Sequence, residues 1–239
     1  MAVRTHALLP TLLIAAAAAC GQIQAPPADS DARIEPDARI DPDAAADDSA
    51  LIDDLEDGDD AVAARGGRAG VWSIVHDRTP GGVQTPSMPF APTLGGVTGS
   101  RYCAGTTGYG FTDWGASLQV DLDHPASGRA RPYDASAYTG IQFQARGNVK
   151  VEAQVVMPAA LAVDNGGTCT PGERPCNDFH GWAIQLGPEW VEYRLPFADI
   201  AQQGWGTAAP FDPTQALRVR FGIAKGLTFN LCVDNLRFY

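Results

Sequence analysis

The chain has 239 residues, 45% apolar and 19% charged, which is enough for one domain with a packed core plus a tail. Its net charge of −11, with only 17 Lys and Arg, excludes the cationic footprint of a nucleic-acid binder. The acidity is concentrated, since residues 20–60 hold 14 Asp or Glu against Arg33 and Arg39 and leave 14 acids and 15 bases elsewhere, so the low isoelectric point describes a tail rather than the domain's ligand.

Residues 1–19 run from Arg4 through an apolar stretch to small residues ahead of Cys20. The stretch is too short to cross a bilayer as a permanent helix and reads as an export signal. With its junction Ala17-Ala18-Ala19-Cys20 it resembles a bacterial lipoprotein signal, which implies lipidation of Cys20 and a lipid anchor in the cell envelope. Ala stands where that pattern usually has Leu, so cleavage without lipidation stays open. Gly21 in place of Asp implies, by the same resemblance, the outer membrane. No other segment is long enough to span a membrane.

Residues 20–50 contain almost no large side chains and repeat themselves, "DARIEP" being followed by "DARIDP". With so little to bury, this segment is expected to be a disordered, extended acidic tether. The globular domain is expected over 51–239, opening on "LIDDLEDGDD", which sets six carboxylates in ten positions.

From Gly70 onward, short alternating runs are separated by Gly, Pro and Asn/Asp clusters. "SLQVDLD" sets Leu118, Val120 and Leu122 on one face, "GIQFQARG" Ile141, Phe143 and Ala145, and the next run Val149, Val151, Ala153 and Val155. "GWAIQL", "WVEYRLPF", "LRVRFGIA" and "LTFNLCVDNLRFY" continue the pattern, with Trp182 expected in the core beside Ile184 and Leu186. Helical patterning is confined to short pieces such as "PFADIAQQG". Many strands at this spacing predict an all-β, two-sheet sandwich.

The alternate positions of these strands carry Gln142, Gln144, Arg146, Glu152, Gln154, Gln185, Arg218 and Arg220. Amides and guanidinium groups donate and accept in pairs, which suits a ligand covered in hydroxyls, and one continuous sheet face is expected to present them. Exposed loop aromatics supply the complementary apolar plane. Tyr109 in "GYGFTDWG" and Trp205 in "GWG" are the first candidates, whereas Trp114 and Phe111 suit packing at least as well.

Leaving Cys20 aside, four cysteines remain, an even number that suggests two disulfides in an exported chain. Cys169 and Cys176 bracket a Pro/Gly loop whose closure would stabilise by roughly 2–3 kcal/mol in the chain-entropy model. Cys103 and Cys232 then pair by elimination, which requires neighbouring strands. A zinc site from Cys169, Cys176 and His180 is the weaker alternative. No nucleophile elbow, zinc-protease motif or phosphate loop is present, so no enzyme is expected. A glycoside hydrolase ranks third among the functions, behind sugar binding and a structural or protein-interaction module.

The framework "LIDDLEDGDD", "GRAGVW", "GFTDWGASL", "YDASAYTGIQFQARG", "CNDFHG", "EWVEYRLPF", "QQGWG" and "CVDNLRFY" resembles exported bacterial lipoproteins with a galactose-binding-like jelly roll. More loosely, it is similar to family 11 carbohydrate-binding modules. The resemblance covers residues 51–239 and implies non-catalytic binding of a polysaccharide by a monomer. It implies framework roles for Trp190, Tyr193 and Phe197. It also implies a structural Ca2+ held by Asp54, Glu56, Asp57 and Asp234, because "DDLEDG" and "VDNL" resemble the two places that supply such a site; calcium requires six to eight oxygens. "CNDFHG" departs from the expected order around His180, and Cys103 and Cys232 stand where other residues are expected.

Overall fold

The structure is a computed structural model, and it describes residues 49–126 and 128–239. The export signal, Cys20 and residues 20–48 of the expected tether lie outside the described residues, while Ser49 and Ala50 at its end are bonded to the domain through Arg68 and Phe238. The strands are β1 (Leu51–Asp53), β2 (Trp72–His76), β3 (Val83–Thr85), β4 (Thr93–Leu94), β5 (Tyr102–Tyr109), β6 (Gly115–Asp121), β7 (Gly140–Gly147), β8 (Lys150–Val156), β9 (His180–Gln185), β10 (Val191–Pro196), β11 (Arg218–Ala224) and β12 (Phe229–Phe238). Among the described residues the only helical pieces are two 3-10 turns, Val163–Asn165 and Pro213–Gln215. "PFADIAQQG" forms turns and no helix.

The strands make two antiparallel sheets. One runs β10-β7-β12-β5-β3, with β1 added to β12 and β4 to β5, and the other runs β2-β6-β11-β8-β9. The chain changes sheet repeatedly, so β7 and β8, adjacent in sequence, belong to different layers. This is the expected jelly-roll sandwich, and the alternation read from the sequence selects its interior. Phe143 of β7 packs edge-on against Phe221 of β11, with ring centroids 4.9 Å apart, which joins the two layers, and Tyr193 of β10 packs beside it at 5.6 Å. Burying such a side chain contributes about 1.5–3 kcal/mol. Phe197 closes one end against Phe211 and Phe238. Trp182 departs from its expected core role: it faces inward on β9, but β9 is a sheet edge, and the indole stays 49% exposed.

Both expected disulfides are present. Cys103–Cys232 joins the neighbouring strands β5 and β12, and Cys169–Cys176 closes the Pro/Gly loop ahead of β9. With both thiols bonded to each other, Cys169 and Cys176 have no thiolate to give zinc.

The domain's entrance is fastened by Arg68, which is almost fully buried. Its guanidinium donates to the carbonyls of Ser49 and Leu51 and to the Tyr133 hydroxyl, and it lies over the Tyr133 and Phe238 rings. The bonds from Nη1 and Nη2 and the two rings offset the cost of burying the charge, while Nε is left without a partner.

Candidate functional site

Sheet membership divides the expected polar face in two. Gln142, Gln144 and Arg146 of β7 point outward from the seven-stranded sheet, and Gln154 of β8 and Arg220 of β11 point outward from the five-stranded sheet. A single face carrying all of them is therefore corrected: the chain crosses the sandwich between β7 and β8, so polar positions ten residues apart face opposite sides. Gln185 lies on β9 opposite Lys150, and its amide donates to the Leu186 carbonyl.

The five-stranded sheet holds the better site. Strand register sets Ser73, Gln119, Arg220, Gln154 and Gly181 in one straight row across all five strands. Gln119 and Gln154 are each 7% exposed, so they form the floor of a concave surface. The groove above them encloses about 970 Å3. Arg220 Nη1 donates to Gln154 Oε1 at 2.5 Å, and its guanidinium lies 5.9 Å from the Trp114 ring centroid and 5.6 Å from that of Phe179. Gly222, two residues along the same face, leaves the space in which this guanidinium lies, since a Cβ there would come within 2.3 Å of Arg220 Nη1. Burial and neighbouring Arg218 bring the Arg220 pKa down to about 10, which still leaves it a cation at neutral pH. Arg218 itself is held by Asp121 at 2.9 Å, and His124 lies on the other oxygen of that carboxylate at 2.7 Å.

Two tryptophans line the groove, and a carboxylate positions each. Trp114 arrives on the β5–β6 loop and Trp205 on the loop after β10; they are 43% and 49% exposed. Asp77 Oδ2 accepts from the backbone N–H groups of Asp113, Trp114 and Gly115 at 2.8–3.0 Å, and Oδ1 accepts from the Thr79 amide and hydroxyl. Burial pushes the Asp77 carboxyl up, but these bonds outweigh it and hold the group well below the usual carboxylate range. Asp178, almost fully buried, accepts from the backbone N–H of Gln203 at 3.0 Å, Gly204 at 2.8 Å and Gly206 at 3.0 Å. Trp205 is thus carried on a loop wrapped around one carboxylate. Glycine is required at 206, where a Cβ would sit 2.4 Å from the Asp178 Cβ. The disulfide loop braces the same segment: Arg174 donates to the Gly204 carbonyl at 2.6 Å, and the Thr207 amide donates to Pro175.

The tryptophan expectation divides accordingly. Trp205 borders the groove, and Trp114, for which packing was the equal expectation, borders it too. Tyr109 is 54% exposed but closes β5 in the seven-stranded sheet, away from the groove. Phe111 is core, stacked with Phe229. Sequence reasoning gave no role to Gln119 or Asp77, named Asp178 only beside the zinc alternative, and placed Glu152 and Arg218 only on a general polar face. "GWG" signals a tight loop around Trp205, but nothing local shows which carboxylate anchors it.

The outer face of the other sheet offers a pocket of about 300 Å3 beside Arg146, Asn148 and Asn230. No aromatic side chain lines it. Arg146 is committed to the Trp190 ring, 5.0 Å from its centroid, and to the Gly95 carbonyl, while Gln144 accepts from Asn235.

The acidic box has a structural job. Asp53, which the metal reading omits, is buried, accepts from the Trp72 indole at 2.6 Å and from the Leu55 amide, and burial pushes its pKa up to about 7. Glu56 Oε1 accepts from Ser100 Oγ and from the Arg101 and Tyr102 amides at 2.7–2.9 Å. Asp234 accepts from the Val97 and Asn235 amides, so Glu56 and Asp234 grip the same 97–102 loop. Asp54 and Asp57 close local turns with the amides of Glu56 and Asp59. Among the described residues no three His, Cys, Asp or Glu gather as a metal site. Asp54, Glu56 and Asp57 each use one carboxylate oxygen in these bonds, and Asp234 uses both.

No protein-family model matches the sequence, and no curated protein matches it. Solved structures do resemble it. A family 11 carbohydrate-binding module from Clostridium thermocellum, in complex with a β-1,3-1,4-mixed-linked tetrasaccharide, superposes with a TM-score of 0.50 at 12% identity, over 79% of this chain and 94% of that one. The family 11 module of a cellulosomal cellulase from the same organism gives a TM-score of 0.44 at 13% identity, over 70% and 86%. A family 29 carbohydrate-binding module complexed with mannohexaose gives 0.34 at 16%, over 71% and 92%. At this identity the first of these likenesses supports the fold alone: the chain shares the two-sheet sandwich of that module.

Proposed function

We propose that this chain binds a polysaccharide without cutting it, in the groove over the five-stranded sheet, as a monomeric domain held to the bacterial cell envelope through lipid on Cys20. One observation carries the reading: a row of amide and guanidinium groups crosses the floor of a groove that two clamped, half-exposed tryptophans border. A sugar ring presents a C–H face that lies on an indole, and its hydroxyls donate and accept in the paired fashion of Gln119, Gln154 and Arg220. The loops are fixed beforehand by Asp77 and Asp178, so binding does not have to order them. The first solved neighbour, which holds a tetrasaccharide, supports the class of ligand by analogy of fold.

Affinity electrophoresis in soluble polysaccharides tests this. Retention by at least one polymer is expected, and Trp205→Ala and Trp114→Ala should each weaken it by about tenfold, the scale of a buried aromatic anchor. Tyr109→Ala should leave it unchanged. No retention on any polymer would favour a protein-interaction module of the envelope, and release of reducing sugar from the same polymers would favour a hydrolase. Cys20→Ser should free the protein from the membrane fraction.

A further inference from the structure

The groove floor carries an uncompensated charge. Its two arginines differ: Arg218 has a carboxylate partner in Asp121, but among the described residues Arg220 has only neutral partners, the amide of Gln154 and the rings of Trp114 and Phe179. Among the described residues no carboxylate makes an ion pair with Arg220; Glu152 stands diagonally across from it, opposite Gly222, and acts on it only at longer range. The other carboxylate on the groove, Asp77, has both oxygens filled by N–H and O–H donors. A cation kept in a recess without a counter-ion is costly to the free protein. Flanked by two amides and open toward the groove, it presents a planar fork matched to a carboxylate.

We propose that the bound polysaccharide contains uronic acid, and that Arg220 receives the sugar carboxylate while Gln119 and Gln154 take the adjacent hydroxyls. This rests on the carbohydrate-binding reading above and narrows it to an acid-bearing chain. Outside residues 20–60 acids and bases nearly balance, 14 against 15, so general attraction does little to hold a polyanion and the specificity falls on this one group. Glu152 opposes the ligand and sets a limit on affinity.

The test is retention at physiological salt on polygalacturonate, on the same polymer with its carboxyls reduced to alcohols, and on neutral mixed-linkage β-glucan. Retention is expected to be strongest on polygalacturonate and to fall by about tenfold or more on the reduced polymer, the scale of a charge-assisted pair. Arg220→Gln should give the same loss, Arg220→Lys a smaller one, and Glu152→Gln should strengthen retention of the acid form alone. The arginine variants are checked for folding by circular dichroism, and the reduced polymer asks the question of the unaltered protein. Equal retention on the acid and reduced polymers, or retention on neutral glucan alone, overturns the uronate inference and leaves carbohydrate binding standing. Absence of retention on all three, extended to a panel of neutral polymers, removes both.

Discussion

Removing the Asp178 side chain, as in Asp178→Ala, separates the loop that carries Trp205 from its anchor. Three backbone donors lose their acceptor, those of Gln203, Gly204 and Gly206, now held at 2.8–3.0 Å. Only the Gly206 bond is fully buried; the other two are part-buried. An orphaned buried donor costs about 1–3 kcal/mol, and each bond that water replaces about 0.5–1.5 kcal/mol, so the expected loss is about 4 kcal/mol. At about 2–4 °C per kcal/mol for a domain of this size, the melting temperature should fall by about 8–16 °C. The Cys169–Cys176 disulfide keeps the Arg174–Gly204 contact nearby, so the protein should still fold. Thermal unfolding followed by circular dichroism gives the stability, and tryptophan emission, read against Trp205→Phe, reports the freed indole. Polysaccharide retention should weaken as much as in Trp205→Ala. A melting point within about 1 °C of the unaltered protein, with Trp205 emission unchanged, would refute the account of the loop as wrapped on one carboxylate.

Gly222→Ala puts a methyl where the Arg220 guanidinium now lies; it should weaken polysaccharide binding by about three- to tenfold, as for a lost charged hydrogen bond, with little change in melting, both measured by titration and calorimetry. His180 is buried with Nδ1 unpartnered, and burial holds its pKa below the ordinary 6.5 despite a backbone bond at Ala209 and nearby Asp178. The unfolded chain therefore takes up a proton that the folded chain refuses, so this group's contribution is intact above pH 6.5 and declines as pH drops toward the folded value. Melting curves at pH 7.5 and 5.5 should accordingly differ less for His180→Gln than for the unaltered protein, and equal differences would remove the assignment. Adding EDTA should leave the melting curve in place, because Glu56 and Asp234 already hold the 97–102 loop by hydrogen bonds; a drop of several degrees that calcium reverses would contradict this.

Period-two alternation by itself determined the class of fold and nearly all of the interior, because inward apolar positions such as Phe143, Val151 and Phe221 must be buried whichever sheet they join. Cysteine count and loop composition likewise foretold both disulfides. What alternation cannot contain is the identity of the sheet. Gln144 and Gln154 read alike in the sequence, yet β7 and β8 lie in opposite layers, and only the strand order sends one to each side of the molecule. The same holds for the anchors. Asp77 and Asp178 act on N–H groups about 25 to 38 residues away, so their role exists only once the loops have closed. Glu56 and Asp234 illustrate the same point: they lie 178 residues apart in the sequence, and only the tertiary structure brings both onto one loop, where they accept from its N–H groups.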